Sequence, residues 1–204
     1  MKKFISTIIA VLLLSTAILA SSPITLVSFY LEYANINEVG IMEESGALDG
    51  RVMPFLLDEN NPIIQKAAVI NALVNTDKPR YNASTFKQFI ARNYKDNFET
   101  MDINKLNGHE LFCLGYLTLI DDMGNPDNAL PILTLALEKN KNSQTVHMIH
   151  SIASAQQFIN KGNKCEGWDI FENNRSNTSL NNDMGNNIVS YFQVVMETYK
   201  EGCE

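Results

Sequence analysis

The sequence is poor in cysteine, with only Cys113, Cys165 and Cys203, and it contains no C-x-x-C element. Clustered thiolates that would hold zinc or run thioredoxin-like exchange are therefore missing. It also lacks a Walker phosphate loop, a dinucleotide fingerprint, a G-x-S-x-G elbow and an EF-hand loop. The common nucleotide, hydrolase and calcium readings lose their anchoring residues, and nothing calls for a cofactor. Strand-like alternation of apolar and polar residues is scarce, which argues against a sheet. Basic residues are in deficit: 16 Lys and Arg face 23 Asp and Glu, for a net charge of −7. Nucleic-acid phosphates need a basic surface, so the balance argues against nucleic acid and, more weakly, against anionic lipid. A basic ligand or partner suits this surface, although solubility alone also accounts for acidity.

What is present suits a single all-α domain. The chain has 204 residues, 45% of them apolar, with no long low-complexity tract. Its opening, "MKKFISTIIAVLLLSTAILASS", sets Lys2 and Lys3 before an apolar run from Phe4 to Ala20 and then small residues, the layout of a secretory signal peptide. We expect cleavage after Ala20, an exported, periplasmic product over residues 21–204, and a bacterial source. Removing Lys2 and Lys3 with no acid would take the net charge from −7 to −9. The alternative is an uncleaved N-terminal anchor, since "ITLVSFYL" follows Pro23 closely; only then would a membrane be a partner. Export permits a disulfide. Cys113 sits inside an apolar run while Cys165 and Cys203 flank the last helical segment, so the expected pair is Cys165–Cys203, with three reduced thiols as the alternative.

Apolar residues recur at three and four, which predicts helices over about 24–38, 62–75, 84–96, 107–122, 128–140, 143–161 and 184–201. The stretch 162–183, dense in Asn and Gly, is expected to be a long surface loop. Within "LGYLTLIDDMGNPDNALPILTLALEKN" (114–140), Gly115 would let a neighbouring backbone come close, Gly124 would stop the first helix, and Pro131 requires the second to begin near Asn128. The two helices should form an antiparallel hairpin.

This hairpin, with "LG" at 114–115, "D-x-A" at 127–129 and Ala136, resembles one unit of tetratricopeptide or Sel1-like helical repeats. It departs from the pattern at Thr118, where an aromatic is expected, and no second copy repeats "LG" at a fixed period. The resemblance implies a short irregular stack of antiparallel helical hairpins, α-solenoid-like, that binds a protein or peptide. A non-repeating helical bundle is the alternative.

Three constellations could carry chemistry or contact. Glu44, in "GIMEESGALDG" (40–50), resembles the catalytic-glutamate segment of lytic transglycosylases, where a carboxylic acid in a dry pocket protonates a glycosidic oxygen. The Gly-Leu-Met-Gln element of that family is absent and the spacing to Asp49 is one residue too long, so a solvated acidic loop is the expected reading. His109, His147 and His150 could form a trio for Zn²⁺ with Glu110 or Asp121; the expectation is hydrogen-bonded surface or core histidines and no metal. Trp168, Phe171 and Arg175 have the composition of a contact hot spot on the long loop, or they turn inward and pin it, since a large exposed apolar patch is unusual in an exported monomer. Asn82 and Asn177 fit the glycosylation pattern. The function expected is a non-catalytic helical protein that binds a protein or peptide in the cell envelope, an inhibitor or immunity protein being the sharper version. A cell-wall-active enzyme built on Glu44, or a metal-binding helical protein, is the alternative.

Overall fold

Residues 22–76, 81–122 and 125–203 are described by a computed structural model. The expected signal peptide, its cleavage point and the helix stop at Gly124 lie outside these residues. The described chain is all-α: α1 (Pro23–Leu26), α2 (Asn37–Ser45), α3 (Met53–Leu57), α4 (Ile63–Asn71), α5 (Asn82–Tyr94), α6 (Gly108–Asp121), α7 (Leu130–Lys139), α8 (Gln144–Asn160), α9 (Lys164–Arg175) and α10 (Asn186–Lys200). Short 3-10 turns intervene at Phe29–Tyr33, Gly50–Val52, Ile103–Lys105 and Pro126–Asn128.

The most apolar helices are central. Eight residues of α4 are buried, from Ile63 to Asn71 with Gln65 alone partly exposed, and every residue of α6 from Glu110 to Leu117 is buried. A helix apolar all round must be covered all round, and α4 is packed by α2, α6, α8 and the Phe29–Tyr33 turn. Where α6 meets α7 the approach is as close as Gly115 suggests: a Cβ there would lie 2.8 Å from Leu133 Cδ2. Pro131 falls in the first turn of α7, where its missing N–H leaves no intrahelical bond unmade.

Side-chain bonds, local and long-range, settle the helix ends. Asn107 and Glu110 form a reciprocal capping box at the start of α6. Asp121, near its end, accepts from Asn82 Nδ2 (2.7 Å) and the Ala83 amide (2.8 Å), capping α5, while Asn82 Oδ1 accepts from the Leu48 amide (2.7 Å). Buried and committed in this way, Asn82 is no surface glycosylation acceptor. Asp183 caps α8 through the Thr145 amide (3.0 Å) and the Ser143 hydroxyl (2.5 Å).

Three segments differ from the sequence expectations. The helix expected over 24–38 is broken at Val27 and Ser28, because the Asn71 side chain takes backbone groups that a continuous helix would use: its Oδ1 accepts from the Tyr30 amide and its Nδ2 donates to the Val27 carbonyl, both at 3.0 Å. The expected acidic loop at 40–50 is largely α2, whose apolar face buries Val39 and Met42 and which ends at Gly46 with φ 61°. The expected loop at 162–183 contains α9. Gly167, Trp168 and Phe171 form its buried stripe, and Gly167 lets α9 lie directly on α8: a Cβ there would stand 2.9 Å from the Ala155 carbonyl.

The first and last described elements also meet. Phe29 packs on Phe192 of α10 with ring centroids 5.9 Å apart, and α1 contacts both α8 and α10. A disulfide between Cys165 and Cys203, Cα atoms 5.3 Å apart, ties the start of α9 to the chain just beyond α10. Cys113 is a free, buried thiol. No described helix is long and apolar enough to cross a membrane.

Candidate functional site

Helix α10 carries more apolar surface than one buried face needs. Ile188, Val189, Phe192 and Met196 point into the core. Tyr191 and Val194, 42% and 66% exposed, continue the apolar arc outward. Opposite them stand Leu26 and Leu31, 50% and 61% exposed. Between these two walls runs an open groove of about 380 Å³ lined by Leu26, Val27, Leu31, Tyr191, Val194 and Val195, with Ser28 and Glu32 as its polar members.

The groove is held by bonds made behind it. Asn71 fixes the backbone at Val27 and Tyr30, and Asn75 Nδ2 donates to Ser28 Oγ (3.0 Å). Phe29, between the exposed Leu26 and Leu31, is the inward anchor against Phe192. At the rim the Tyr191 hydroxyl donates to Glu32 Oε1 (2.5 Å), and that carboxylate pushes the Tyr191 phenol upward. The arrangement offers an apolar slot with one acidic side chain. Large exposed apolar side chains gathered at one concavity are characteristic of contact surfaces.

The residues singled out by sequence lie elsewhere. Glu44 is exposed at the end of α2, beside a shallow cleft of about 400 Å³ shared with Tyr30, Glu43 and Asn75. It has no dry enclosure of the sort a proton-holding acid requires. Trp168 and Phe171 turn inward, their rings 5.8 Å apart, and Lys200 Nζ lies over the indole at 5.0 Å. Arg175 forms two hydrogen bonds with Glu172, which hold the Glu172 carboxyl below its usual range.

The three histidines are each engaged separately. His109 Nδ1 faces Lys66 Nζ at 3.0 Å, His147 Nε2 the Lys141 carbonyl at 2.9 Å, and His150 Nε2 the Thr134 hydroxyl at 3.2 Å. Their suggested oxygen partners are committed too: Glu110 Oε2 accepts from the Tyr94 hydroxyl (2.8 Å) and the Asn107 amide (2.9 Å), and Asp121 caps α5. Among the described residues no three His, Cys, Asp or Glu side chains gather as a metal would require.

Sequence reasoning missed Leu26, Leu31, Tyr191 and Val194. One signal was available: "IVSYFQVVM" at 188–196 has too many apolar residues for a helix buried on one side only. No family model, no curated protein and no solved structure matches the chain.

Proposed function

We propose that the protein is an exported, non-catalytic helical protein that takes a segment of another envelope protein into the groove between residues 26–32 and α10. The observation that carries this reading is the joint exposure of Leu26, Leu31, Tyr191 and Val194 around one slot. The occupant is an amphipathic segment with apolar anchor side chains and basic flanks. Apolar anchors would replace water against the leucines and valines, contributing on the order of 25 cal/mol per Å² covered. Basic flanks answer Glu32 at the rim and the acidic balance of the chain, −7 in full and −9 once Lys2 and Lys3 are removed. Inhibition of, or immunity to, a basic envelope enzyme or toxin is the biological form this activity would take, and the repeat-like hairpin of α6 and α7 belongs to the same reading.

The test uses a synthetic amphipathic helix with a leucine stripe and lysine flanks, titrated by calorimetry, beside a copy with glutamate flanks. The lysine peptide is expected to bind and the glutamate peptide to bind at least tenfold more weakly. The double variant L31D/V194D is expected to lose binding while keeping its helical circular dichroism. Equal binding of both peptides, or binding that survives the double variant, overturns the proposal.

A further inference from the structure

Lys66 is 0% exposed, in the middle of α4. Among the described residues no carboxylate pairs with it, and the hydrogen bond of its Nζ is to His109 Nδ1 at 3.0 Å. An ammonium group can only donate, so this contact requires Nδ1 to be the acceptor and the ring proton to sit on Nε2. A doubly protonated pair would set two donors against each other, one of them on a fully buried side chain. His109 also lies in the first turn of α6, where unpaired backbone N–H groups and the helix dipole disfavour a cation.

The surrounding carboxylates offset this only in part. Asp58 and Glu59, just after α3, and Glu110 and Cys113 on α6 are the other titratable groups around Lys66. Asp58, hydrogen-bonded to Asn60, Glu110, hydrogen-bonded to Asn107 and Tyr94, and Glu59 each favour the Lys66 cation, and Glu59 the His109 cation as well, but burial outweighs them at both groups. Burial raises the Cys113 thiol to about 12, so it stays neutral and adds no counter-charge.

We propose that Lys66 and His109 form an acid-released latch between α4 and α6: at neutral pH the neutral imidazole accepts from the lysine, and protonation of His109 breaks the contact and loosens the first turn of α6 from α4. Burial, then the Lys66 charge, holds the His109 ring below its ordinary value, and burial lowers Lys66 as well. A group with a depressed folded pKa that is cationic when protonated takes up its proton first in the unfolded chain. Stability is therefore full above the unfolded histidine value of about 6.5 and falls as pH drops from there toward the folded value. The slope is at most about tenfold in the folding equilibrium constant per pH unit, the limit for one proton.

The experiment is urea unfolding at intervals between pH 7.5 and 5.0 for the native chain and H109Q, with the histidine rings followed by NMR. Glutamine keeps an acceptor for Lys66 and does not titrate. The native chain is expected to lose stability toward pH 5 and H109Q to lose measurably less, the difference cancelling any contribution from His150, which burial also holds low. In the native chain the His109 ring should titrate below 6.5 as the Nε2–H tautomer, and in K66M its midpoint should rise. Parallel pH profiles for the native chain and H109Q, or a native His109 midpoint at or above 6.5, overturn the latch; the NMR reading decides the matter even if both variants fail to fold.

Discussion

A single amide side chain, Asn71, joins three parts of the molecule. It accepts from the Tyr30 amide and donates to the Val27 carbonyl and to the Tyr116 hydroxyl (3.1 Å), all out of water. Truncation to alanine removes three bonds at once and strands a buried N–H, a carbonyl and a phenol. With stranded buried groups costing about 1–3 kcal/mol each and relaxation recovering part, Asn71→Ala should lower stability by about 3–5 kcal/mol, read from the shift in urea midpoint. A loss under about 1 kcal/mol would mean that the 27–30 backbone is fixed by packing alone. An Asn inside "KAAVINALV" is visible in the sequence as a polar residue in an apolar run, but its partners lie 41 to 45 positions away. No local pattern reports them. For Trp168 and Phe171 the sequence left two readings open, a contact surface with Arg175 or an inward turn that pins the segment, and the structure buries both rings.

Among helices, those with strong periodicity and ordinary boundaries were readable, and α6, α7, α8 and α10 lie close to where spacing alone puts them. Gly115 was also readable, as a small residue in the middle of an apolar run. Its role gives a sharp expectation: alanine is the better helix former by up to about 1 kcal/mol, yet its Cβ would meet Leu133 side-chain carbons at 2.8 and 2.9 Å and the Leu133 amide nitrogen at 3.2 Å. Overpacking of that kind costs about 1–3 kcal/mol, so Gly115→Ala should be net destabilising in thermal melts; a neutral or stabilising result would show that α6 and α7 can separate freely. Helix α9 escaped because "KCEGWDIFENNR" is mostly polar and its buried stripe is narrow: Gly167, Trp168 and Phe171. Its stability comes from lying on α8 through a glycine, a tertiary gain that composition does not register. The exposed half of the groove escaped for a related reason. Spacing marks α10 as amphipathic, and only its partner wall, set by Asn71 from afar, leaves Tyr191 and Val194 facing Leu26 and Leu31.

The described body is closed by joining its earliest and latest described elements. Phe29 meets Phe192, Glu32 meets Tyr191 across 159 positions, and Cys165–Cys203 secures the chain beyond α10. The cysteine pairing was legible from placement and export logic, whereas the contact between residues 26–32 and α10 was not. In the chain-entropy account, a bridge between residues 38 positions apart stabilises by about 3–4 kcal/mol. C165A/C203A should therefore unfold at lower urea while Cys113 stays shielded: native protein of either form should give no reaction with a thiol reagent, and denatured protein one thiol per chain. Immediate labelling of the folded native chain would mean that Cys113 is reached without unfolding, contrary to its burial.

Because one wall of the groove belongs to residues 26–32 and the other to α10, the surface is assembled from the earliest and latest described parts of the chain. A ribosome makes the second wall long after the first, Glu32 and Tyr191 being 159 positions apart. Until α10 is made the first wall exists with nothing facing it, and a product ending before Asn186 carries no slot at all. Synthesis through α10 is thereby a condition for having the surface, so copies that stop short of it would compete for nothing that copies carrying it hold.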